Sequence, residues 1–189
     1  MPTPQRTSVD AIVRAGREIL ERDGFEGLTM QRVATAVGVR APSLYKHVSG
    51  RGELVHLIAN DVARELGATL DAVVGGQKPR RDIRRMVRAV RAFATSRPAA
   101  YALLFARLPD GWRADDELTA AASAGLLRAV GQLAGPDAAL DAARTVVAWA
   151  HGFVSMELAG AFRLGGDVDQ AFDYGVERLI KAVAASRPG

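Results

Sequence analysis

Thr29-Met-Gln-Arg-Val-Ala-Thr-Ala-Val-Gly38-Val39-Arg40-Ala41-Pro42-Ser43-Leu44-Tyr45-Lys46-His47-Val48-Ser49-Gly50-Arg51 carries the punctuation of two short helices joined by a tight turn. Thr29 places a hydroxyl where a helix N-cap belongs, and Val33, Ala34 and Val37 recur behind it on one face. Gly38 supplies the left-handed backbone that lets a helix stop and turn sharply, and Val39 is the apolar residue that packs back after such a turn. Pro42 suits the first turn of a second helix, where its missing N–H has no intrahelical partner in any case. Helix, glycine turn and helix at this spacing form the helix-turn-helix pattern.

The second helix, expected from Arg40 to Val48, is too polar to be a core element. Leu44 and Val48 make a buried pair at i,i+4, which leaves Arg40, Ala41, Ser43, Tyr45, Lys46 and His47 facing outward. Hydroxyls and cations bond phosphate oxygens, and small apolar atoms meet thymine methyls, so this face reads as a recognition helix for a major groove. A short surface helix with a solvated basic face is the alternative reading of the same residues.

Phe25-Glu-Gly-Leu28-Thr29, Val33-Ala34, Val37-Gly38-Val39 and Leu44-Tyr45-Lys46-His47-Val48, followed by Arg51 and Glu53-Leu54, resemble the N-terminal domain of the TetR family of transcriptional repressors. The resemblance covers roughly residues 8 to 58. It implies a homodimer that a small molecule, bound in the C-terminal domain, releases from its operator. Trp149-Ala-His151-Gly152, with Glu157 and Gly160 beyond, also resembles a Trp-His-Gly-type C-terminal domain found in part of that family.

Around this stretch, composition sets bounds. A chain of 189 residues with 49% hydrophobic and 24% charged residues has the makeup of one or two globular domains. No apolar run approaches the roughly 20 residues a membrane span needs, and residues 1 to 7 lack the order of a signal peptide, so the expected location is the cytoplasm, with no membrane partner. The absence of cysteine excludes disulfides and thiolate metal sites. A net charge of +4 favours a polyanionic partner, though only weakly.

Residues 1 to 7 read as a flexible arm from which Arg6 could reach DNA. Ser8 then caps a first helix carrying Ile12, Ala15, Ile19 and Leu20 up to Asp23-Gly24. A long helix opens at Gly50 and Gly52 and runs to Gly75-Gly76, with Leu54, Leu57, Ile58, Val62, Leu66, Leu70 and Val73 at helical spacing. Its first turn offers backbone N–H groups to a phosphate, beside Arg51 and Lys46. Residues 78 to 97 set Arg80, Arg81, Arg84, Arg85, Arg88 and Arg91 against an apolar stripe, which reads as a solvated basic face before it reads as a second nucleic-acid surface.

Pro98 opens a short helix, Trp112 sits in the loop after it, and an alanine-rich helix spans Asp115 to Ala134. Ala138 to Phe162 is apolar nearly all round, so it needs cover on every side. The final helix, with Phe172, Tyr174, Val176, Leu179, Ile180 and Val183, offers a second apolar surface. Two such helices from each of two chains would form a two-fold symmetric four-helix bundle, that is, a homodimer through the last two helices.

The expectation is therefore an all-α protein with a three-helix, helix-turn-helix DNA-binding domain over residues 1–52 and a helical ligand-binding and dimerisation domain over 53–189. Its expected partners are a double-stranded DNA operator, a small-molecule effector of unknown identity and a second copy of the chain. Expected DNA contacts are Thr29 and Ser43 as phosphate-bonding hydroxyls, Tyr45, Lys46, His47 and Arg51 as further backbone contacts, and Gln31, Arg40, Ala41 and Pro42 as base or methyl readers. Phe93, Tyr101, Leu104, Phe105, Trp112, Trp149, His151, Phe153 and Met156 are candidates for an apolar ligand site, and equally for core. His47, His56 and His151 are dispersed, and neither a glycine-rich phosphate loop nor metal-ligand spacing occurs, so no enzyme, metal or cofactor is expected. A DNA-binding protein without an effector remains the alternative.

Overall fold

The computed structural model describes residues 7–76 and 78–185, so the expected contact of Arg6 lies outside the described residues. Among them the secondary structure is wholly helical: α1 (Val9–Gly27), α2 (Met30–Ala36), α3 (Ala41–Leu44), α4 (Arg51–Val73), α5 (Pro79–Ser96), α6 (Pro98–Phe105), α7 (Asp116–Ala134), α8 (Ala139–Leu158) and α9 (Val168–Ala185). The chain forms two compact units. The first holds residues up to Glu65 together with Arg97–Leu118, and the second holds Leu66–Ser96 and the residues from Thr119 onward. The functional boundary expected after residue 52 falls in the first turn of α4, whereas the packing boundary falls after Glu65.

In the first unit, apolar residues at helical spacing on α1 (Ile12, Ile19, Leu20) meet Val33 of α2, Leu44 of α3 and Leu54, Ile58 and Val62 of α4, all at most 2% exposed. Each such buried Leu or Ile contributes about 1.5–3 kcal/mol relative to exposure. Gly16 lets α1 approach α4 closely, because a β-carbon there would come within 2.7 Å of Ile58 Cδ1. Ser8 caps α1 by accepting from the Ala11 N–H at 3.2 Å, as its position in the sequence predicts. Gly24, at φ +71°, breaks the helix where Asp23-Gly24 marks its end, and the chain resumes a last turn to Gly27.

Glu21 of α1 closes the N-terminus of α6, accepting from the N–H groups of Ala99 at 3.1 Å and Ala100 at 2.8 Å. Carboxylates are favoured at such a terminus, where backbone donors lack partners. Arg17 pairs with Asp61 and Glu65 of α4, and Glu65 pairs in turn with Arg97 at 2.7 Å.

In the second unit, Asp82 is 3% exposed and holds the turn between α4 and α5 by accepting from the Gly75 and Gly76 N–H groups at 3.0 and 2.9 Å. The arginine face of α5 is not simply solvated. Arg84 pairs with Glu177, Arg88 with Asp173, and Arg91 with both Glu157 and Asp169. The acids belong to α8 and α9, 66 to 93 positions downstream of their partners for the bonded pairs of Arg84 and Arg91, which is why periodicity within α5 does not reveal them.

Two expectations for the last helices change. α8 ends at Leu158, not Phe162, and the segment after it turns through Gly160, Gly165 and Gly166 at positive φ. The apolar stripe of α9 does not face outward, since Phe172, Val176, Ile180 and Val183 are all at most 5% exposed in this chain's own core. α8 is buried on one side only, at Val146, Ala150 and Val154, and leaves Leu140, Val147, Met156 and Leu158 between 40 and 51% exposed.

Candidate nucleic-acid interface

The helix-turn-helix is built by its own caps. Thr29 accepts from the Arg32 N–H at 3.3 Å and starts α2. At the other end Gly38 takes φ +74°, its N–H reaches Thr35 O at 3.1 Å, and the Val39 N–H reaches Ala34 O at 2.9 Å. That pair of bonds is the Schellman ending, which satisfies the last carbonyls of α2 and turns the chain towards α3. Pro42 lies in the first turn of α3. α3 itself is shorter than expected, four residues, and continues as hydrogen-bonded turns in which His47 and Val48 both donate to Leu44 O.

Leu44 and Val48 are buried, at 0 and 1% exposed, and anchor this element to the head. Their burial turns Arg40, Pro42, Ser43, Tyr45, Lys46 and His47 to solvent, with Ala41 half-buried. Gln31 and Thr29 are exposed at the start of α2. Among the described residues neither Arg40 nor Lys46 enters an ion pair, so both cations stand ready for an anion. Of the residues expected to contact DNA, all but Ala41 and Arg51 are exposed.

Arg51 turns inward. Its Nη2 donates to Phe25 O at 2.8 Å, and its guanidinium carbon lies 4.7 Å from the centre of the Phe25 ring. The side chain ties α4 to the end of α1 and is half-buried. Glu53 does a similar job one turn on, where its carboxylate accepts from the Ser49 N–H at 2.6 Å and fixes the turn between α3 and α4. That bonding at Ser49 holds the Glu53 carboxyl below its ordinary range. The sequence signal for it is a glutamate in the first turn of a long helix, a position that acids favour.

The same head resembles known proteins throughout. Residues 12–58 match the family described as bacterial regulatory proteins, tetR family, and residues 83–179 match the tetracyclin repressor-like C-terminal domain. The chain belongs to the TetR family of transcriptional regulators. An HTH-type transcriptional regulator of Mycobacterium tuberculosis is 30% identical over 180 residues, covering 93% of this chain and 81% of the relative. The HTH-type transcriptional repressor DrrR1 of Streptomyces coeruleorubidus is 40% identical over 75 residues, 40% of this chain and 27% of its own length. BioQ, solved with its natural double-stranded DNA operator, shares the TetR fold at a TM-score of 0.70 and 24% identity, over 95% of this chain and 99% of that one.

The residues proposed for a TetR-type ligand divide between the units. Tyr101, Leu104, Phe105 and Trp112 belong to the first, and Phe93, Trp149, His151, Phe153 and Met156 to the second. Tyr101 is 2% exposed, its hydroxyl pKa pushed up to about 12 by burial, and its ring lies 5.0 Å from that of Phe105. Leu104 is half-buried. Phe93 is core at 4% exposed, and Met156 is exposed. Trp149, Phe153 and Phe172 form one aromatic cluster with centroids 5.2 to 5.5 Å apart, extended by Phe162 at 4.7 Å from Phe153. His151 is half-buried on the same helix, and burial lowers its pKa. An open hollow of about 480 Å³ in this unit is lined by Arg88, Arg91, Glu157, Asp169 and Asp173, with Phe172 as its aromatic wall. Among the described residues no group of three or more His, Asp or Glu is placed to hold a metal, and no helix is long and apolar enough to cross a membrane.

Proposed function

We propose that this TetR-family regulator is a ligand-released repressor that binds a palindromic operator as a homodimer in the cytoplasm. The observation that carries the DNA half is the outward face of the helix-turn-helix, where hydroxyls, an amide and uncompensated cations project from a short helix anchored by Leu44 and Val48. Ser43, Tyr45, Lys46, His47 and Thr29 bond phosphates, and Gln31, Arg40, Ala41 and Pro42 meet base edges or thymine methyls. Arg51 contributes by bracing the head, and the backbone of its turn remains the contact offered to phosphate. The repressor named among the relatives and the operator bound by BioQ support this reading.

The dimer half rests on α8. Leu140, Val147, Met156 and Leu158 are exposed on a helix with small residues at Ala148, Gly152, Ser155 and Ala159, so a second copy can approach closely. Tyr174, 64% exposed, extends that surface onto α9. In the dimer two recognition helices lie roughly 34–36 Å apart, one turn of DNA. An effector held by Trp149, His151 and Phe153, with Phe93, Tyr101, Leu104, Phe105, Trp112 and Met156 as the remaining candidates, displaces α4 and changes that separation. Residues 1–52 then act as the reading head and 53–189 as the sensing and dimerising body. Catalysis has no part in this reading.

Fluorescence anisotropy on DNA from the chain's own upstream region and on scrambled DNA, at several salt concentrations, tests it. Selective binding with two chains per site supports it. Equal weak binding to both DNAs, abolished by modest salt, would leave only charge attraction and remove the repressor reading. Val147→Asp and Met156→Asp should yield monomers in sedimentation velocity and lose operator binding together.

A further inference from the structure

The first half of α4 is gripped on two sides. Leu54, Ile58 and Val62 sit in the head core at 0% exposed. On the opposite face Gly52, Asn60 and His56 between them are four residues apart, so they line up on successive turns. Each meets a different residue of the connection between α6 and α7. The Trp112 indole packs on Gly52, where an added β-carbon would come within 2.8 Å of Cε2. His56 Nδ1 lies 2.7 Å from Arg113 O. Asn60 accepts from the Asp115 N–H at 2.8 Å and donates to the Asp115 carboxylate at 2.8 Å.

These bonds close on one another. A carbonyl only accepts, so His56 Nδ1 must carry the proton, which leaves Nε2 to accept from Asn60 Nδ2 at 3.2 Å. Asn60 is 3% exposed, so breaking one of its bonds while the connection stays in place would leave a buried amide group without a partner. Partial release is therefore unfavourable, and the contacts open or close together. Asp115 directly precedes α7, whose residues from Thr119 onward belong to the second unit.

We propose that Trp112–Asp115 is a strap that sets the attitude of α4, and through the Ser49 turn that of the recognition helix. Displacing the start of α7 opens the strap, loosens the first half of α4 and lowers operator affinity. The inference rests on the DNA-binding reading for its consequence, but the strap itself is measurable without DNA.

The test uses the full chain and a duplex enriched by the wild-type protein from a random library. Gly52→Ala expels the indole while improving helix propensity, so it should fold. Amide exchange read by mass spectrometry over residues 51–60 should speed up about tenfold or more, and operator affinity should fall about tenfold. Unchanged exchange overturns the strap, and faster exchange with wild-type affinity overturns its role in DNA binding. Failure of the library to enrich any duplex would sink the DNA-binding reading while the exchange result still decides the strap.

Asn60→Asp separates positioning from simple loss of packing. The Asp115 carboxylate accepts from Asn60 Nδ2 at 2.8 Å and lies 3.6 Å from His56 Nε2. Asn60→Asp sets a second carboxylate against that of Asp115 where the amide had donated, and affinity should fall about tenfold. Adding Asp115→Asn to it restores a donor opposite the new carboxylate, and affinity should return to within about threefold of wild type, whereas Asn60→Ala with Asp115→Asn should show no such recovery. Equal affinities for the two double variants would overturn the proposal.

Discussion

The indole of Trp149 on α8 lies against the backbone of Gly175 on α9, so closely that a β-carbon built on Gly175 would come within 2.9 Å of Cη2 and 3.0 Å of Cε2. The same ring touches Phe153 and Phe172 and thereby closes the aromatic cluster. Gly175→Ala should raise intrinsic helix propensity yet destabilise the protein by about 1–3 kcal/mol through overpacking. Urea unfolding of Gly175→Ala, Trp149→Phe and the double variant measures it. The double variant should be more stable than the sum of the two losses predicts.

DNA contacts of two kinds should part company in salt. Lys46→Ala removes a cation proposed to meet phosphate, so it should weaken binding evenly across sequences and reduce the salt slope by about one. Arg40→Ala should cost about 1–3 kcal/mol on the operator and relax preference at one base pair. Anisotropy titrations on the operator and on single-base variants distinguish the two. Equal losses on every duplex for both substitutions would remove Arg40 from the readers.

Arg91 joins three elements of the second unit. Its guanidinium meets Glu157 through Nε at 2.7 Å and Nη2 at 2.5 Å, reaches Asp169 at 2.6 Å and lies 4.6 Å above the Phe172 ring. Its side chain is 17% exposed and that of Glu157 is 21% exposed. Arg91→Met should therefore destabilise by about 2 kcal/mol, near the lower limit for a broken buried pair, and lower Tm by roughly 4–8 °C. Adding Glu157→Gln should recover part of that loss, because the carboxylate that remains, Asp169, is 81% exposed and solvated by water. Calorimetry that found the double variant no better than the single one would contradict this account.

His151 gives the second unit a sensitivity to acid. Burial disfavours its charged form, so the folded protein takes up the proton at lower pH than the unfolded chain does. As pH falls through about 6.5 the unfolded state binds the proton first, and stability should drop until pH passes below the folded-state value. Urea midpoints between about pH 5 and 8 should show this decline in the wild type and a shallower one in His151→Gln. Superimposable profiles would mean that His151 takes no part.

The helix-turn-helix was legible because its signals are local. Thr29, Gly38, Val39 and Pro42 each act within five residues of themselves, and all appear in the roles their chemistry predicts. The inward turn of Arg51 was not, since an arginine after Gly50 looks the same whether it meets a phosphate or the carbonyl of Phe25, 26 positions away. The same limit hides the partners of Arg84 and Arg91. For α9 the apolar residues were legible, but their spacing cannot say whether they meet the same chain or another, and Tyr174 stands apart from the buried ones at 64% exposed. The proposed ligand residues were chosen by type, and type does not separate Tyr101, a core residue of the first unit, from Trp149 in the second.

The compact unit that holds the reading head is not one continuous length of chain. Its α6 is delivered only after the excursion through α5, yet Glu21 closes the start of that helix and Asn60 takes its bonds from Asp115. A head grafted from this chain onto the body of another family member as a single block would leave Glu21 and Asn60 facing foreign residues. Exchange of specificity between relatives should therefore succeed by transplanting the few outward residues of α2 and α3, and fail by transplanting the N-terminal segment whole. New operators in such a lineage would be acquired by point substitution more readily than by recombination.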